Sequence, residues 1–192
     1  MSINMRYILV VILSLLLSFC QPVAASTPTW IVEQSRGQLD EIAAAQVIEA
    51  VIANANLNGI NPDTVFKVIS VESRYKPRSV SNKGARGLMQ VMPVYHKSRY
   101  IGENIHDIDT NIRVGVEILS EYIYSNYCGG NEDCGIRRYY GDLRSNRYLN
   151  LVRGVKLPDK SEVIVDIAQV SCKRYNLADR GFSLVGEECN NS

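Results

Sequence analysis

The sequence predicts one compact, predominantly helical domain, and three observations carry that expectation. Apolar residues recur at spacings of three and four, no alternating strand of useful length appears, and cysteines can tie the chain down at two places. The 192 residues are 46% hydrophobic, 21% charged and 8% aromatic, ordinary values for a globular protein that exclude disorder and collagen-like repetition. The 21 basic residues meet 20 acidic ones, so net charge implies neither nucleic-acid nor membrane-surface binding.

In chain order, Arg6 precedes an apolar stretch, 7–19, and small residues follow at Pro22-Val23-Ala24-Ala25. That is the pattern of a secretory signal peptide over 1–25, with cleavage expected after Ala25. As a helix the apolar stretch reaches only about 20 Å, short of the roughly 30 Å core of a bilayer, so no permanent membrane anchor is expected. Bulky Phe19 argues against lipidation at Cys20, which leaves with the signal.

A first helix is expected over 39–57, where Ala44, Ile48, Val51, Ile52 and Ala55 form a stripe that Asn58-Gly59 ends. Asn61 is placed to cap a second helix, Pro62 to open it, and Arg74 lies near its end. Residues 77–87 are polar and glycine-containing, a loop. A third helix over 109–124 carries Ile108, Ile112, Gly115, Leu119 and Tyr122 on one face, and Gly129-Gly130 ends it. Residues 137–152 read as two short helices broken near Gly141, the second with Tyr148, Leu149, Leu151 and Val152. Ser161 caps a last helix with the stripe Ile164, Ile167, Ala168 and Ser171, and the tail beyond Leu177 is irregular. The expected divisions are the signal 1–25, a domain over 26–155, and a C-terminal helix and tail over 156–192.

Cys128, Cys134, Cys172 and Cys189 are an even set in an exported chain, so two disulfides are expected. Three pairings are open, and proximity favours Cys128 with Cys134 and Cys172 with Cys189. A zinc site would need CxxC pairs or closely spaced histidines, and His96 and His106 are the only histidines, so no metal is expected. Lys83-Gly84-Ala85-Arg86-Gly87 lacks the order of a phosphate-binding loop, and neither histidine has the surroundings of a nucleophilic triad. No cofactor is expected.

One residue breaks the helical pattern. Val65, Val68 and Ile69 recur at i, i+3 and i+4, and the next position of the stripe is Glu72. A carboxyl held against apolar surroundings loses hydration of its charged form, which raises its pKa and makes it a general acid near neutral pH. The alternative is a helix-end glutamate turned to solvent. Beyond it lie Ser81, Asn82, Gly84, Ala85 and Gly87-Leu88-Met89-Gln90. The glycines allow close backbone approach, and Ser81 and Gln90 offer donors and acceptors, as the wall of a groove would. Equally, Leu88, Met89 and Val91 could plug the core beneath a plain turn.

Glu72-Ser73, Ser81 and Gly84-Ala85-Arg86-Gly87-Leu88-Met89-Gln90-Val91-Met92-Pro93 together resemble the signature of the soluble, goose-lysozyme-like lytic transglycosylases. Asn111-Ile112-Arg113-Val114-Gly115 is similar to that family's Asn-Ile-x-x-Gly helix, and Arg138-Tyr139-Tyr140-Gly141 to its Ala-Tyr-Asn segment. The resemblance runs over 61–152. It implies an α+β lysozyme-like fold with a substrate groove, and peptidoglycan glycan strands as substrate.

By the same resemblance Glu72 is the catalytic acid and then base at the β-1,4 bond between N-acetylmuramic acid and N-acetylglucosamine, giving a 1,6-anhydro product. Ser81, Gln90, Met92 and Tyr139 would line the sugar pocket, Gly87, Leu88 and Met89 would form the groove wall, and Tyr139 would help orient Glu72. Tyr140 stands where the family commonly has Asn, and Arg144 where many members carry Glu. These departures suggest a small specialised enzyme of a secretion, conjugation or pilus machine. The expected protein is periplasmic and monomeric, with no nucleic-acid partner. No Asp or Glu falls between Glu72 and Glu103, while Arg74, Lys76, Arg78, Lys83, Arg86, Lys97 and Arg99 do, a cationic rim for wall carboxylates. The alternatives are a lysozyme-like muramidase that uses water and an inactive wall-binding component.

Overall fold

The computed structural model describes residues 29–157. The expected signal segment, the helix after Ser161, and Cys172 and Cys189 lie outside them. The described residues form helices α1 (Thr29–Gln34), α2 (Glu41–Leu57), α3 (Pro62–Ser73), α4 (Pro93–His96), α5 (Ile108–Ile123), α6 (Glu132–Tyr140) and α7 (Arg147–Gly154), with a 3-10 turn at Lys97–Tyr100 after α4. Among them no strand forms, and two isolated antiparallel bridges, Val80 with Arg86 and Arg86 with Val91, are the only β pairing.

Side-chain caps set where the long helices begin. Asp40 accepts from Ala43 N, Asn61 from Asp63 N, Asp107 from Thr110 N and Asn131 from Cys134 N, each satisfying an amide that has no partner within its own helix. Asp40 therefore starts α2 at Glu41 rather than at Leu39, whose side chain enters the core ahead of the cap. Asn131 likewise starts α6 at Glu132, well before the expected 137. The short elements α1, α4 and the 3-10 turn are too brief to show a period and were not expected.

Helix α5 is the axis of the domain. Thr110, Asn111, Ile112, Val114, Gly115, Val116, Ile118, Leu119 and Ile123 are buried, so most of its circumference is covered. It packs on α2 and α6; α3 packs on α2 and α7, and α6 on α7. The main core takes in Val47, Ile48 and Val51 of α2, Val65, Val68 and Ile69 of α3, and Leu88 and Met89 of the loop. A second cluster, Val91, Tyr100, Ile105, Val114 and Ile118, lies on the other side, and Tyr139 packs against both.

Polar ties hold α3, α6 and α7 together at one end. The Thr64 hydroxyl donates to Glu132 Oε1 at 2.8 Å, and Arg153 pairs with Glu132 at 2.7 Å and with Asp133. The opposite end of the same three helices carries Glu72, Tyr139, Tyr140 and Tyr148.

Cys128 and Cys134 are joined across the turn between α5 and α6. Closing so short a loop in the unfolded chain is worth about 2 kcal/mol. The double substitution Cys128→Ser with Cys134→Ser should lower unfolding free energy by about that amount in urea titration. An unchanged midpoint would contradict a stabilising bridge.

Candidate active site

Helix α3 delivers Glu72 one turn beyond its apolar stripe, and the chain after it is built to hold that turn still. Ser73 Oγ donates to Ile69 O at 3.2 Å. Arg74 and Tyr75 both take left-handed backbone conformations, φ 53° and 59°, a local cost that tertiary packing must offset. The offset is visible in Tyr75, which is fully buried and donates its hydroxyl back to Phe66 O at 3.0 Å. The end of α3 is thereby pinned from inside.

Glu72 itself is half-buried, and its Oε1 accepts a 2.5 Å hydrogen bond from the hydroxyl of Tyr148 on α7. Burial raises the carboxyl above the usual range, and the Tyr148 bond, which favours the charged form, lowers it by less. The carboxyl thus keeps its proton to higher pH than an exposed glutamate. Tyr148 is pushed far above an ordinary phenol, first by burial and then by the Glu72 charge, so it stays a donor. Burial and then Glu72 likewise raise Tyr139. One carboxyl and two permanently protonated phenols therefore share a neighbourhood.

The loop from 77 to 91 is stitched to itself and to α5. Ser81 N donates to Ala85 O at 2.9 Å, and Ala85 N to Ser81 Oγ at 3.0 Å. Asn111, fully buried on α5, clamps the loop: its Oδ1 accepts from Met89 N at 2.8 Å, and its Nδ2 donates to Arg86 O at 3.0 Å and Ile105 O at 2.8 Å. Gly87 is where this clamp passes. With φ 77°, a Cβ there would lie 2.0 Å from Asn111 Nδ2. Gly115 gives Met89 its seat, since a Cβ would meet the Met89 sulfur at 2.5 Å. Tyr139 closes the arrangement by donating to Met89 O at 2.7 Å.

The expected site residues therefore sort by position. Glu72 and Tyr139 lie close enough to influence each other electrostatically, but Tyr139 spends its hydroxyl on Met89, and Tyr148 is the residue that orients Glu72. Leu88 and Met89 are fully buried and Gly87 is packed against Asn111, so these three residues support the loop from within rather than face an open groove. Gln90, half-buried at φ 50°, turns its amide onto Gly87 O at 2.8 Å. Ser81 is half-buried and commits its hydroxyl as an acceptor within the loop. Met92 is half-buried at the start of α4. The expected cationic rim loses one member, because Arg99 is bound by Glu121 at 2.8 Å and Glu117 at 3.8 Å.

Tyr148 is the partner of Glu72 that the sequence placed only in a helix stripe. Its contact with Glu72 spans 76 positions, and periodicity records only that such a residue faces inward. Among the described residues no group of three or more His, Cys, Asp or Glu could hold a metal, and no helix is long and apolar enough to cross a membrane. A separate surface recess between α2 and α5, lined by Asn58, Ser120 and Tyr124, does not include Glu72.

Residues 49–139 match the family described as the transglycosylase SLT domain. A transglycosylase of Enterobacteria phage PRD1 is 36% identical over 89 residues, 46% of this chain and 32% of that protein. Among solved structures, an inactive mutant of the lytic transglycosylase Slt from Pseudomonas aeruginosa aligns at 20% identity with TM-score 0.43. A 70-kDa soluble lytic transglycosylase in complex with bulgecin A aligns at 22% identity with TM-score 0.44. Each covers 68% of this chain and 24% of the other. The chain thus matches only about a third or less of the length of these relatives.

Proposed function

We propose that the protein is a peptidoglycan lytic transglycosylase in which Glu72 cleaves the β-1,4 bond between N-acetylmuramic acid and N-acetylglucosamine. The observation that carries this reading is a half-buried carboxyl of raised pKa, gripped by a tyrosine hydroxyl at the end of a pinned helix, inside the stretch that matches the SLT domain. Such a group can give a proton and take one back near neutral pH.

The reaction uses the group twice. Glu72 donates its proton to the bridging oxygen as the bond from that oxygen to C1 of the muramoyl residue breaks. The muramoyl 6-hydroxyl oxygen then closes onto C1, and its proton passes to the Glu72 carboxylate, restoring the acid. No water is consumed, and the product ends in a 1,6-anhydro ring. A retaining or inverting hydrolase needs a second carboxyl about 5–9.5 Å away. The anhydro route needs one carboxyl, and the sequence holds no Asp or Glu between Glu72 and Glu103 to serve as a near neighbour in the chain.

Tyr148 acts as a positioning residue, and its removal has a signed consequence. The bond it donates stabilises the carboxylate, so Tyr148→Phe should raise the Glu72 pKa further and move the alkaline limb of the activity profile to higher pH, together with a fall in kcat. A limb that moves to lower pH would contradict the assignment.

The substrate is the glycan strand of the cell wall, and the site of action is the periplasm after removal of residues 1–25. The Cys128–Cys134 bridge supports an oxidising compartment. The departures at Tyr140 and Arg144 support service to a secretion, conjugation or pilus assembly, where local openings in the wall are needed. Incubation of purified murein with the protein should release soluble muropeptides. Intact murein after prolonged incubation across the pH range would overturn the reading.

A further inference from the structure

Tyr140 is a large aromatic residue left 59% exposed at the end of α6, immediately before Gly141 ends the helix in a left-handed conformation. Its ring is not loose. It lies parallel to the ring of Tyr148, 9° between planes and 4.5 Å between centroids. Tyr148 is 4% exposed, so the stack covers one face of Tyr140 and the exposure falls on the other face and the edge. The hydroxyl of the same Tyr148 is the one on Glu72. A flat apolar surface is thus held open to solvent, one ring away from the ring that grips the acid.

We infer that Tyr140 is a substrate-contacting residue that takes the C–H face of a pyranose ring of the glycan strand and sets that sugar's position relative to Glu72. This rests on the proposed reading of the substrate. Equatorially substituted pyranose rings present axial C–H groups on their faces, which pack on an aromatic face, while their hydroxyls and N-acetyl groups stay at the rim. A ring already fixed from behind loses little freedom when a sugar settles on it, so contact area converts efficiently into affinity. A side chain of the amide type at this position would reach the sugar by hydrogen bonding. A tyrosine reaches it by stacking, which tolerates different acyl substituents and favours a flat, unsubstituted ring face.

The test measures binding and turnover separately. The N-acetylglucosamine tetrasaccharide is titrated calorimetrically into Glu72→Gln protein, alone and combined with Tyr140→Phe, Tyr140→Leu or Tyr140→Ala, and the Tyr140 variants are assayed on purified murein with Glu72 intact. Tyr140→Phe should keep the affinity within about twofold, since the flat face remains, while Tyr140→Ala and Tyr140→Leu should weaken it by roughly fivefold to tenfold and raise KM in proportion. Leucine keeps apolar cover on Tyr148, so an equal loss in both variants isolates the flat face from packing.

Unchanged tetrasaccharide affinity in Tyr140→Ala and Tyr140→Leu would overturn the inference. So would a loss confined to kcat with a displaced pH profile, which would mean that Tyr140 acts only through Tyr148. The proposed function stands or falls separately. If the wild type releases anhydro products while these variants bind as well as their parent, the stacking role alone fails. If the wild type neither solubilises murein nor the Glu72→Gln parent binds the tetrasaccharide, the substrate reading fails and takes this inference with it.

Discussion

Replacing Glu72 by Gln is expected to reduce release of muropeptides from murein by about 10²–10⁴-fold, the range that general acid–base groups contribute. Glutamine keeps the shape and can still accept the Tyr148 hydroxyl, so the fold and the neighbouring contacts survive while the proton is lost. Binding of glycan fragments should persist. The folded structure should gain stability. Because Glu72 binds its proton more tightly folded than unfolded, the folded state holds more protons between the ordinary carboxylate pKa and the raised one, and stability falls as pH climbs through that interval. Glu72→Gln removes that loss, so its melting temperature should equal or exceed the wild-type value at neutral pH, and the difference should shrink in acid. A large drop in melting temperature at neutral pH would show that the carboxylate is structural rather than functional.

The second large effect is expected at Gly87. An alanine there must place a methyl group 2.0 Å from Asn111 Nδ2 and 2.4 Å from its Cγ, at φ 77°. Asn111 cannot yield cheaply, because its amide already serves Met89 N, Arg86 O and Ile105 O and is fully buried. Each buried group left without its partner costs about 1–3 kcal/mol, and the left-handed backbone adds about 1–2. Gly87→Ala should therefore lose roughly 3–5 kcal/mol in urea unfolding, a large part of the 5–15 kcal/mol typical of a domain. Gly84→Ala is the matched control: its φ is 84°, but nothing lies within 4 Å of the added methyl. It should show the backbone cost alone, about 1–2 kcal/mol. Equal losses at the two positions would contradict the clamp.

These two residues also show what the sequence makes legible. The carboxyl at Glu72 stands out because a local rule, helical periodicity, fails at one position, and the structure finds the preceding stripe, Val65, Val68 and Ile69, fully buried. Helix α3 appears with its cap, Asn61, and its opening Pro62 because those signals are local as well. What surrounds Glu72 is not local. Tyr148 meets it only because α3 packs on α7, and the inward stripe of a short helix does not say which side chain it will face. The loop shows a similar limit. Glycines at 84 and 87 look alike in sequence, yet one faces open space and the other a buried amide contributed by α5. Leu88 and Met89 could have lined a groove or filled the core, and only the packing against Gly115 and Tyr139 distinguishes these uses. Long-range pairings of this kind depend on how helices cross, which no run of neighbouring residues encodes.

The central claim is that a single carboxyl, Glu72, cleaves the glycan strand without water. It is tested most directly by digesting purified murein with the protein in water enriched in oxygen-18 and weighing the released muropeptides by mass spectrometry. The expected products are lighter than hydrolytic muropeptides by one water, end in anhydro rings and carry no oxygen-18, and Glu72→Gln should release almost none. Products of hydrolytic mass with oxygen-18 at the new reducing end would contradict it and make the protein a muramidase.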